Sequence, residues 1–295
     1  MKSKQITLTT RGHRADVGPY KVNRILPNRF VDAVGPFVFL DHLMPEKHNP
    51  GEERHEVNGT GAHPHRGIAT LTYVINGEAD HNDSNGHHAL VRTGGAQWMK
   101  AGNGIIHDES FNVDTVSGDL LTHGMQFWIN LPAKNKAEKP DYLPVQANEI
   151  PKKDLASNGW IKVIVGKYEG LTSKIPDYSK QFIYHIHIEP GKKFFLETEE
   201  GLEYAAFLPL TAATINADNY RQGEFISFDN NEGLIEFTGS DEATDIILFG
   251  GEHYSEPIVA AGPFVMNTEH EISQAYNDFY NGKYGEIKYE KQNSI

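Results

Sequence analysis

Short apolar segments separated by polar turn residues run along most of the chain. Eight of them are rich in β-branched or aromatic residues and are bounded by Gly, Asn, Asp or Pro, which predicts a strand in each. These segments are 37–40, 69–75, 124–131, 160–165, 181–188, 224–228, 233–237 and 244–249. Because many short strands at this spacing are typical of sandwiches and barrels, the pattern predicts an all-β protein.

One helix is predicted near the end of the chain. Thr268 and Glu271 have the spacing of a capping box, in which the threonine caps a backbone N–H and the glutamate reaches back to another. We expect this helix to continue to about Tyr280 and to stop near Gly282.

A weak internal repeat appears when the chain is shifted by 129 residues. Arg92–Gly94 then falls on Arg221–Gly223, and Gly104–Ile106 falls on Gly233–Ile235, without a gap. A duplicated β-domain is the natural interpretation. The polar, proline-rich stretch between the copies predicts a linker, which gives an N-terminal metal-binding domain at 1–132, a linker at 133–159 and a C-terminal domain with the terminal helix at 160–295.

Composition and net charge narrow the range of partners and kinds of site that the protein can have. The chain has 295 residues, a net charge of −13 and no cysteine. An acidic balance argues against nucleic acid and against an anionic membrane surface as partners. Without cysteine, disulfides, thiolate nucleophiles and iron–sulfur clusters are excluded. No apolar run is long enough for a spanning helix and the first residues do not resemble a signal peptide, so we expect a soluble, cytoplasmic protein.

Two paired motifs carry the candidate chemistry. His63 and His65 flank Pro64 at what reads as a strand start, and residues i and i+2 of a strand point to the same face. His107 and Glu109 repeat this spacing after a glycine-rich turn. Two strands would thus each offer two inward ligands, and three imidazoles with one carboxylate predict a mononuclear metal site.

The bland alternative is that such histidines are ordinary polar side chains, and a lone H-x-H motif is usually that. His81, His87, His88 and His185 stand in polar or turn-like contexts and are predicted to have no special role. At the 129-residue offset, His63, His65, His107 and Glu109 fall on Lys192, Phe194, Glu236 and Thr238. The second copy therefore keeps no ligand type in place, and we expect a metal-free C-terminal domain in which His185 and His187 bind no metal.

The motifs HPHRG, TGGAQWMKAGNGIIHDE, GPFVFLDH and GPFVMNTEHEISQA closely resemble the pirin family, over about Gly12 to Gly285. The resemblance implies two cupin domains, which are jelly-roll β-barrels, facing each other. It also implies one metal in the N-terminal barrel, held by His63, His65, His107 and Glu109. Iron is the expected metal, with manganese, nickel, copper and zinc as alternatives. Where pirins carry a glutamate shortly after the second histidine, this chain has Ala69.

Some bacterial relatives are similar to quercetinases, which are flavonol dioxygenases that open the heterocyclic ring with O₂ and release CO. The resemblance implies that activity here, with Glu109 as general base and an aromatic small molecule as substrate. Candidate pocket residues are Phe39, His42, Trp98, His123, Met125 and Phe127. Two alternatives stay open: a metal- or redox-dependent regulator that binds a protein partner, and an enzyme acting on a substrate other than a flavonol. The resemblance favours a monomer.

Overall fold

The computed structural model describes residues 2–289 and consists mainly of short strands. In the first half of the chain these are β1 (Ile6–Arg11), β2 (His13–Arg14), β3 (Val22–Leu26), β4 (Phe37–Lys47), β5 (His63–His65), β6 (Ile68–Asn76), β7 (Glu78–Asp83), β8 (His88–Arg92), β9 (Ala96–Lys100), β10 (Ile105–Asn112), β11 (Leu121–Asn130) and β12 (Asp141–Val145).

The second half continues the pattern and ends in the helix. Its strands are β13 (Lys152–Asp154), β14 (Gly159–Val165), β15 (Lys167–Tyr168), β16 (Leu171–Thr172), β17 (Gln181–Ile188), β18 (Lys193–Thr198), β19 (Leu202–Phe207), β20 (Ala213–Ile215), β21 (Asp218–Tyr220), β22 (Glu224–Phe228), β23 (Gly233–Gly239), β24 (Thr244–Glu252), β25 (Val259–Ala261) and β26 (Phe264–Met266). The helices are α1 (Glu269–Tyr280) and three 3₁₀ turns, Ala133–Asn135, Ala147–Glu149 and Ala156–Asn158.

The eight predicted strands are confirmed, and the fold is all-β with two cupin-type domains. Gln181–Ile188 and Glu224–Phe228 have the predicted bounds, while β4 is the element that most exceeds its prediction. Alternation of buried and exposed residues explains the strands, as in β23, where every second residue from Gly233 to Gly239 is buried.

Contacts divide the described residues into two compact units. Each unit includes one terminal segment of the chain that is distant in sequence from the rest of that unit. Unit 1 comprises the chain up to Asp16, Lys21–His42 and Asn148–Tyr254. Unit 2 comprises Val17–Tyr20, Leu43–Ala147 and the described residues from Ser255 onward. This grouping differs from the linear division into 1–132 and 160–295, whose outermost positions, 1 and 290–295, lie outside the described residues.

Unit 1 contains two sheets that enclose one core. The strand orders are β1-β22-β19-β24-β17-β14-β13 and β18-β23-β20-β21. Alternate residues of both sheets contribute to a single apolar cluster that includes Ile186, Phe194, Tyr204, Phe237 and Leu248. Face-to-face packing of two antiparallel sheets in this way is the cupin jelly-roll arrangement.

Unit 2 has the same two-sheet arrangement. β12, β9, β6 and β11 lie side by side in that order, opposite a four-stranded sheet ordered β5-β10-β7-β8. Part of the predicted linker belongs to these sheets, because β12 pairs with β9 in unit 2 and β13 pairs with β14 in unit 1. The polar composition of this stretch reflects edge strands, which tolerate charge and proline.

The C-terminal helix forms as predicted and packs in unit 2. Thr268 caps it by accepting a hydrogen bond from the Glu271 backbone N–H at 3.2 Å, and the Glu271 carboxylate reaches back to the Asn267 N–H at 3.0 Å. Ile272 and Ala275 pack against Phe264 of β26. No helix among residues 2–289 is both long and apolar enough to span a membrane.

Candidate metal centre

Three histidines meet where β5 runs beside β10 in unit 2. The antiparallel register pairs His63 with His107 and His65 with Ile105. Because His63 and His65 are two residues apart, both imidazoles project to the same side of the strand as His107. Pro64 has no N–H to offer, and β5 lies at the edge of its sheet, where that loss costs no ladder bond.

The imidazoles converge closely enough to share one ion. The Nε2 atoms of His63 and His107 are 3.1 Å apart. The ring centre of His65 lies 4.9 Å from that of His63 and 5.0 Å from that of His107. Two nitrogens each about 2.1 Å from a metal and at right angles around it are roughly 3 Å apart, so the spacing fits cis ligands of one transition metal.

The outward-facing ring nitrogens fix the tautomers of two of these histidines. His63 Nδ1 lies 2.8 Å from the Gly61 carbonyl oxygen, and His65 Nδ1 lies 3.0 Å from that of Pro263. A carbonyl can only accept, so each Nδ1 carries the proton and each Nε2 presents a lone pair to the site. Such hydrogen bonds orient metal-binding imidazoles and raise their basicity.

Burial keeps two of the rings neutral. His65 is 2% exposed, and burial together with the neighbouring His63 lowers its pKa to about 3. Burial also lowers the pKa of the fully buried His107 well below its ordinary value, with the surrounding histidines adding to the effect. Neutral imidazole is the form that binds metal, so neither ring has to lose the extra proton of an imidazolium at neutral pH.

Glu109 belongs to a second group that shares His107 with the first. Its two carboxylate oxygens lie 3.7 Å from His81 Nδ1 and 3.7 Å from His107 Nδ1, respectively. The group of possible ligands around His63 and His65 does not include it. Gln97 donates from Nε2 to Glu109 Oε1 at 2.5 Å. An amide therefore holds the carboxylate beside the His107 and His81 imidazoles, and its role as fourth ligand stays a prediction.

His81 is a site residue that the sequence analysis passed over. It pairs across the sheet with Glu109 and is fully buried. Its ring stacks on Tyr142 with centres 4.1 Å apart. Its Nε2 lies 3.2 Å from an oxygen of Asp83, which is also 2.8 Å from His87 Nδ1. Burial alone would lower the pKa of His81, but the hydrogen bond to Asp83 and the nearby Glu109 carboxylate outweigh it and raise that pKa.

Strand alternation also decides which side chains face the imidazoles. The aligned row Tyr142, Met99, Thr70 and Trp128 lies on the site side, since the Trp128 ring is 4.9 Å from that of His65. The parallel row containing Gln97 and Thr72 is on the same side, and Tyr142 donates to Gln97 Oε1 at 2.9 Å. The site-side surface therefore combines aromatic and amide groups, which sequence inspection did not identify.

Three predicted pocket residues lie on the opposite face. Trp98 pairs with Leu71 and Leu71 with Phe127, one residue out of step with the site-side row, and Met125 follows in the same phase. Trp98, Phe127 and Met125 are almost completely buried. They are core residues of the sheet and do not line the imidazole side. Ala69 shares their face, so a glutamate there would also point away from the imidazoles.

The remaining pocket candidates have other surroundings. Phe39 lies under the guanidinium of Arg24, 4.3 Å from the ring centre. His42 packs edge-on against Phe207 with ring centres 5.2 Å apart. Phe39 and His42 group with unit 1 by their contacts. His123 is buried on β11, and neither histidine falls in a group of possible ligands among the described residues.

The second H-x-H motif is held by a carboxylate. His185 Nε2 and His187 Nδ1 both approach Asp245 Oδ1, at 3.0 and 2.8 Å. Trp160 stacks on the His187 ring at 5.0 Å. Hydrogen bonding and stacking thus account for both histidines, and their predicted failure to bind metal can be tested by substitution.

The donor set of the first cluster fits a transition metal. Three converging imidazoles, with a carboxylate two residues along the strand from one of them, suit iron, manganese, nickel, copper or zinc. Hard cations such as Mg²⁺ and Ca²⁺ prefer sites built from oxygen ligands. His63, at the exposed edge of the cluster, leaves an approach for a small molecule.

Comparison with known proteins identifies relatives of this architecture. The family model for pirin matches residues 20–129, and the model for the pirin C-terminal cupin domain matches residues 183–285. A pirin-like protein of Solanum lycopersicum is 34% identical over 279 residues, covering 90% of this chain and 87% of the relative. A Pseudomonas aeruginosa protein with the provisional name quercetin 2,3-dioxygenase is 30% identical, covering 85% of this chain and 87% of the relative.

Solved structures give the same picture. The crystal structure of a quercetin 2,3-dioxygenase from Acinetobacter baumannii has a TM-score of 0.88 and 29% identity, covering 97% of this chain and 100% of that one. A bacterial pirin from Escherichia coli, crystallised with nickel(II), has a TM-score of 0.62 at 17% identity and supports the fold alone. With both family models matched and the two-barrel fold present, the chain belongs to the pirin family.

Proposed function

We propose that this protein is a metal-dependent flavonol dioxygenase of the quercetinase type. The observation that carries the proposal is the convergence of the His63, His65 and His107 imidazoles beside the Glu109 carboxylate. Relatives named as quercetin 2,3-dioxygenases support it over most of the chain. In the overall reaction both oxygen atoms of O₂ enter the product, two ring bonds break and one ring carbon leaves as CO.

His63, His65, His107 and, we propose, Glu109 would hold the metal, with iron as the expected ion. Bound there, it would supply Lewis acidity and open coordination positions for a deprotonated hydroxyl and for dioxygen. The rest of the chemistry falls to the side chains around it. Trp128 and Met99 lie on the site side of their sheet, and Trp128, which is only partly buried, provides apolar surface for a flat ring system.

Glu109 is the proposed general base for the flavonol hydroxyl. Its carboxylate is half-buried and hydrogen-bonded by Gln97, whose amide is itself oriented because Tyr142 donates to its oxygen. This arrangement directs the Gln97 N–H at Glu109, so one carboxylate oxygen is fixed and the other remains to take a proton. A positioned base of this kind contributes typically about 10²–10⁴-fold to a rate.

The test is oxygen uptake with quercetin, using protein reconstituted separately with iron, manganese, nickel and copper. Uptake that requires a metal and His65, with CO released, is the expected result. The His65→Ala variant, assayed at matched protein concentration, serves as the control. Protein that demonstrably holds each metal in turn and consumes no oxygen with quercetin would overturn the proposal.

A further inference from the structure

A cavity of about 1020 Å³ opens in unit 1, and none of its lining residues belongs to the histidine cluster. Its floor is apolar, since it is formed by side chains that are also members of the core of this unit: Phe182, Tyr184, Leu196, Leu202 and Tyr204. Its mouth is charged and polar: Lys167, Glu169, Asp177, Ser179, Lys180, Glu197 and Glu199. A volume of this size is typical of small-molecule sites.

Aromatic rings form a continuous wall in this cavity. The ring centre of Phe182 lies 5.0 Å from that of Tyr184 and 4.8 Å from that of Tyr204. Tyr168 meets Tyr184 edge-on at 5.6 Å. The Tyr184 hydroxyl donates to the Lys167 carbonyl oxygen at 2.5 Å, so it is held by the wall. The rings thus stand at different angles to one another. What they contribute to the cavity is mainly aromatic ring surface.

Carboxylates dominate the charge at the mouth. The lining holds four of them but only two lysines. Lys180 pairs with Glu199, and Glu169 pairs with Lys153 from outside the lining. Asp177 and Glu197 form no ion pair among the described residues, which leaves two carboxylates facing the single unpaired ammonium of Lys167. Burial raises the pKa of Tyr168, and the charge of its sequence neighbour Glu169 adds to the effect.

One aromatic ring of the wall already has a cation beside it, from outside the cavity lining. The ammonium of the buried Lys4, which pairs with Asp229, lies 4.8 Å from the ring centre of Tyr204. The faces of aromatic rings carry negative charge, and cages built from several rings bind alkylated ammonium groups. A neutral aromatic ligand would use the same rings but would gain nothing from the excess of carboxylates, and an anion would be repelled by it.

We propose that this cavity of unit 1 binds an organic cation with an alkylated ammonium group, seated against Tyr168, Tyr184 and Tyr204. The ammonium would lie between the rings and the Asp177 and Glu197 carboxylates. The site is independent of the metal centre and of the dioxygenase proposal, because it uses none of their residues.

The test is titration of the full-length protein with choline, followed by saturation-transfer NMR of the choline methyl groups. The matched probe is 3,3-dimethyl-1-butanol, which has the same shape without the charge. We expect saturable choline binding and about tenfold weaker binding of the neutral alcohol. Equal binding of the two compounds would mean an apolar pocket only, and no saturable binding of choline would refute the site.

Substitutions locate the binding. Tyr168→Leu should weaken choline binding about tenfold, and the Asp177→Asn, Glu197→Gln double variant should weaken it severalfold, by removing ring surface and charge respectively. Tyr220→Leu is the matched control, because Tyr220 packs on the same core without lining the cavity. A His65→Ala, His107→Ala protein should bind choline normally. Choline binding that survives Tyr168→Leu and is lost with the two histidines would overturn the assignment.

Discussion

His63 Nε2 and His107 Nε2 stand 3.1 Å apart across two paired strands, with the Nδ1 of His63 bonded to a backbone carbonyl. With that proton on Nδ1, the His63 Nε2 lone pair accepts a hydrogen bond from the Nε2–H of His107, and a metal ion would take the place of the shared proton. The sheet register thus holds the two nitrogens at the spacing of a ligand pair. Because the strand register brings the imidazoles together, substitutions of single residues can test the cluster.

Metal content is the first test. Purified protein should carry about one transition-metal ion per chain, and His65→Ala with His107→Ala should remove it because two of the three imidazoles are lost. Elemental analysis by mass spectrometry measures both. The matched control is His185→Ala with His187→Ala, which breaks a pair of the same spacing bonded to Asp245. Full metal in the first variant, or a loss in the second, would contradict the assignment.

Gln97 should matter for turnover more than for metal binding. Gln97→Leu removes the N–H that holds Glu109 Oε1 and leaves the three imidazoles in place. We expect kcat for quercetin-dependent oxygen uptake to fall about 10- to 100-fold, with metal content unchanged. Tyr142→Phe should give a smaller fall, because it keeps the stack on His81 and loses only the hydroxyl that orients Gln97. Equal activity of Gln97→Leu and wild type would exclude this positioning.

Substitutions on the two faces of strand β11 should have different effects. Trp128 lies against His65, whereas its neighbour Phe127 faces the other side and is fully buried. Trp128→Leu is expected to raise KM for quercetin severalfold with little loss of stability. Phe127→Leu should lower the free energy of unfolding by about 1–3 kcal/mol and leave KM unchanged. Urea unfolding and steady-state kinetics on both variants check this. A raised KM in Phe127→Leu together with lost stability in Trp128→Leu would contradict a substrate on the Trp128 side of the sheet.

Gly67 should resist substitution because of a close backbone approach. Its φ is +83°, and a Cβ there would lie 2.0 Å from the Val265 carbonyl oxygen. Gly86 has a similar φ of +87° but open space around it. Gly86→Ala should cost about 1–2 kcal/mol for the left-handed backbone alone. Gly67→Ala should cost at least 1–3 kcal/mol more because the backbone must move. Similar unfolding midpoints for the two variants would refute the close contact.

Acid should weaken the attachment of the C-terminal helix through Asp278. Its carboxylate accepts from Lys283 at 2.6 Å and from Arg66 at 2.7 Å, and these bonds lower its pKa to about 2 from an ordinary value of 3.8. A carboxyl whose pKa is depressed by folding stabilises the protein above its unfolded pKa. That contribution is lost as pH falls from about 4 to about 2.

The measurement is urea unfolding as a function of pH for wild type and Asp278→Asn. Wild type should lose its advantage over the variant between about pH 4 and pH 2, whereas at pH 7 the variant should be the less stable protein. Asp177→Asn serves as the control, since Asp177 forms no ion pair among the described residues. A constant difference between wild type and Asp278→Asn across this range would contradict the depressed pKa.

Local spacing was enough to predict the two paired motifs and the helix start. The His63–His65 pair and the His107–Glu109 pair each follow from i, i+2 alternation, and Thr268 with Glu271 from a fixed capping distance. The meeting of the two pairs depends on the pairing of β5 with β10. His81 could not be found in this way. Its place beside Glu109 follows from the pairing of β7 with β10, which no nearby residue signals.

Register explains the other differences. Trp98, Met125 and Phe127 were chosen for their residue type, but their phase along the strand sends them to the opposite face. The same applies to the repeat. An offset of 129 residues sets His107 on Glu236, yet β23 buries Ile235 and Phe237 and directs Glu236 to an ion pair with Lys193. A slip of one residue turns every side chain to the other face.

The hydrogen bond between His65 and Pro263 links the order of synthesis to the assembly of the histidine cluster. The last of the three histidines is translated at position 107, but the carbonyl that fixes the His65 tautomer arrives more than 150 residues later. Strand β26, which begins one residue after Pro263, and helix α1 belong to the same compact unit as the three histidines. A ribosome must therefore release nearly the whole chain before His65 has this hydrogen-bond partner, so an emerging chain cannot yet present the imidazole arrangement of the finished fold.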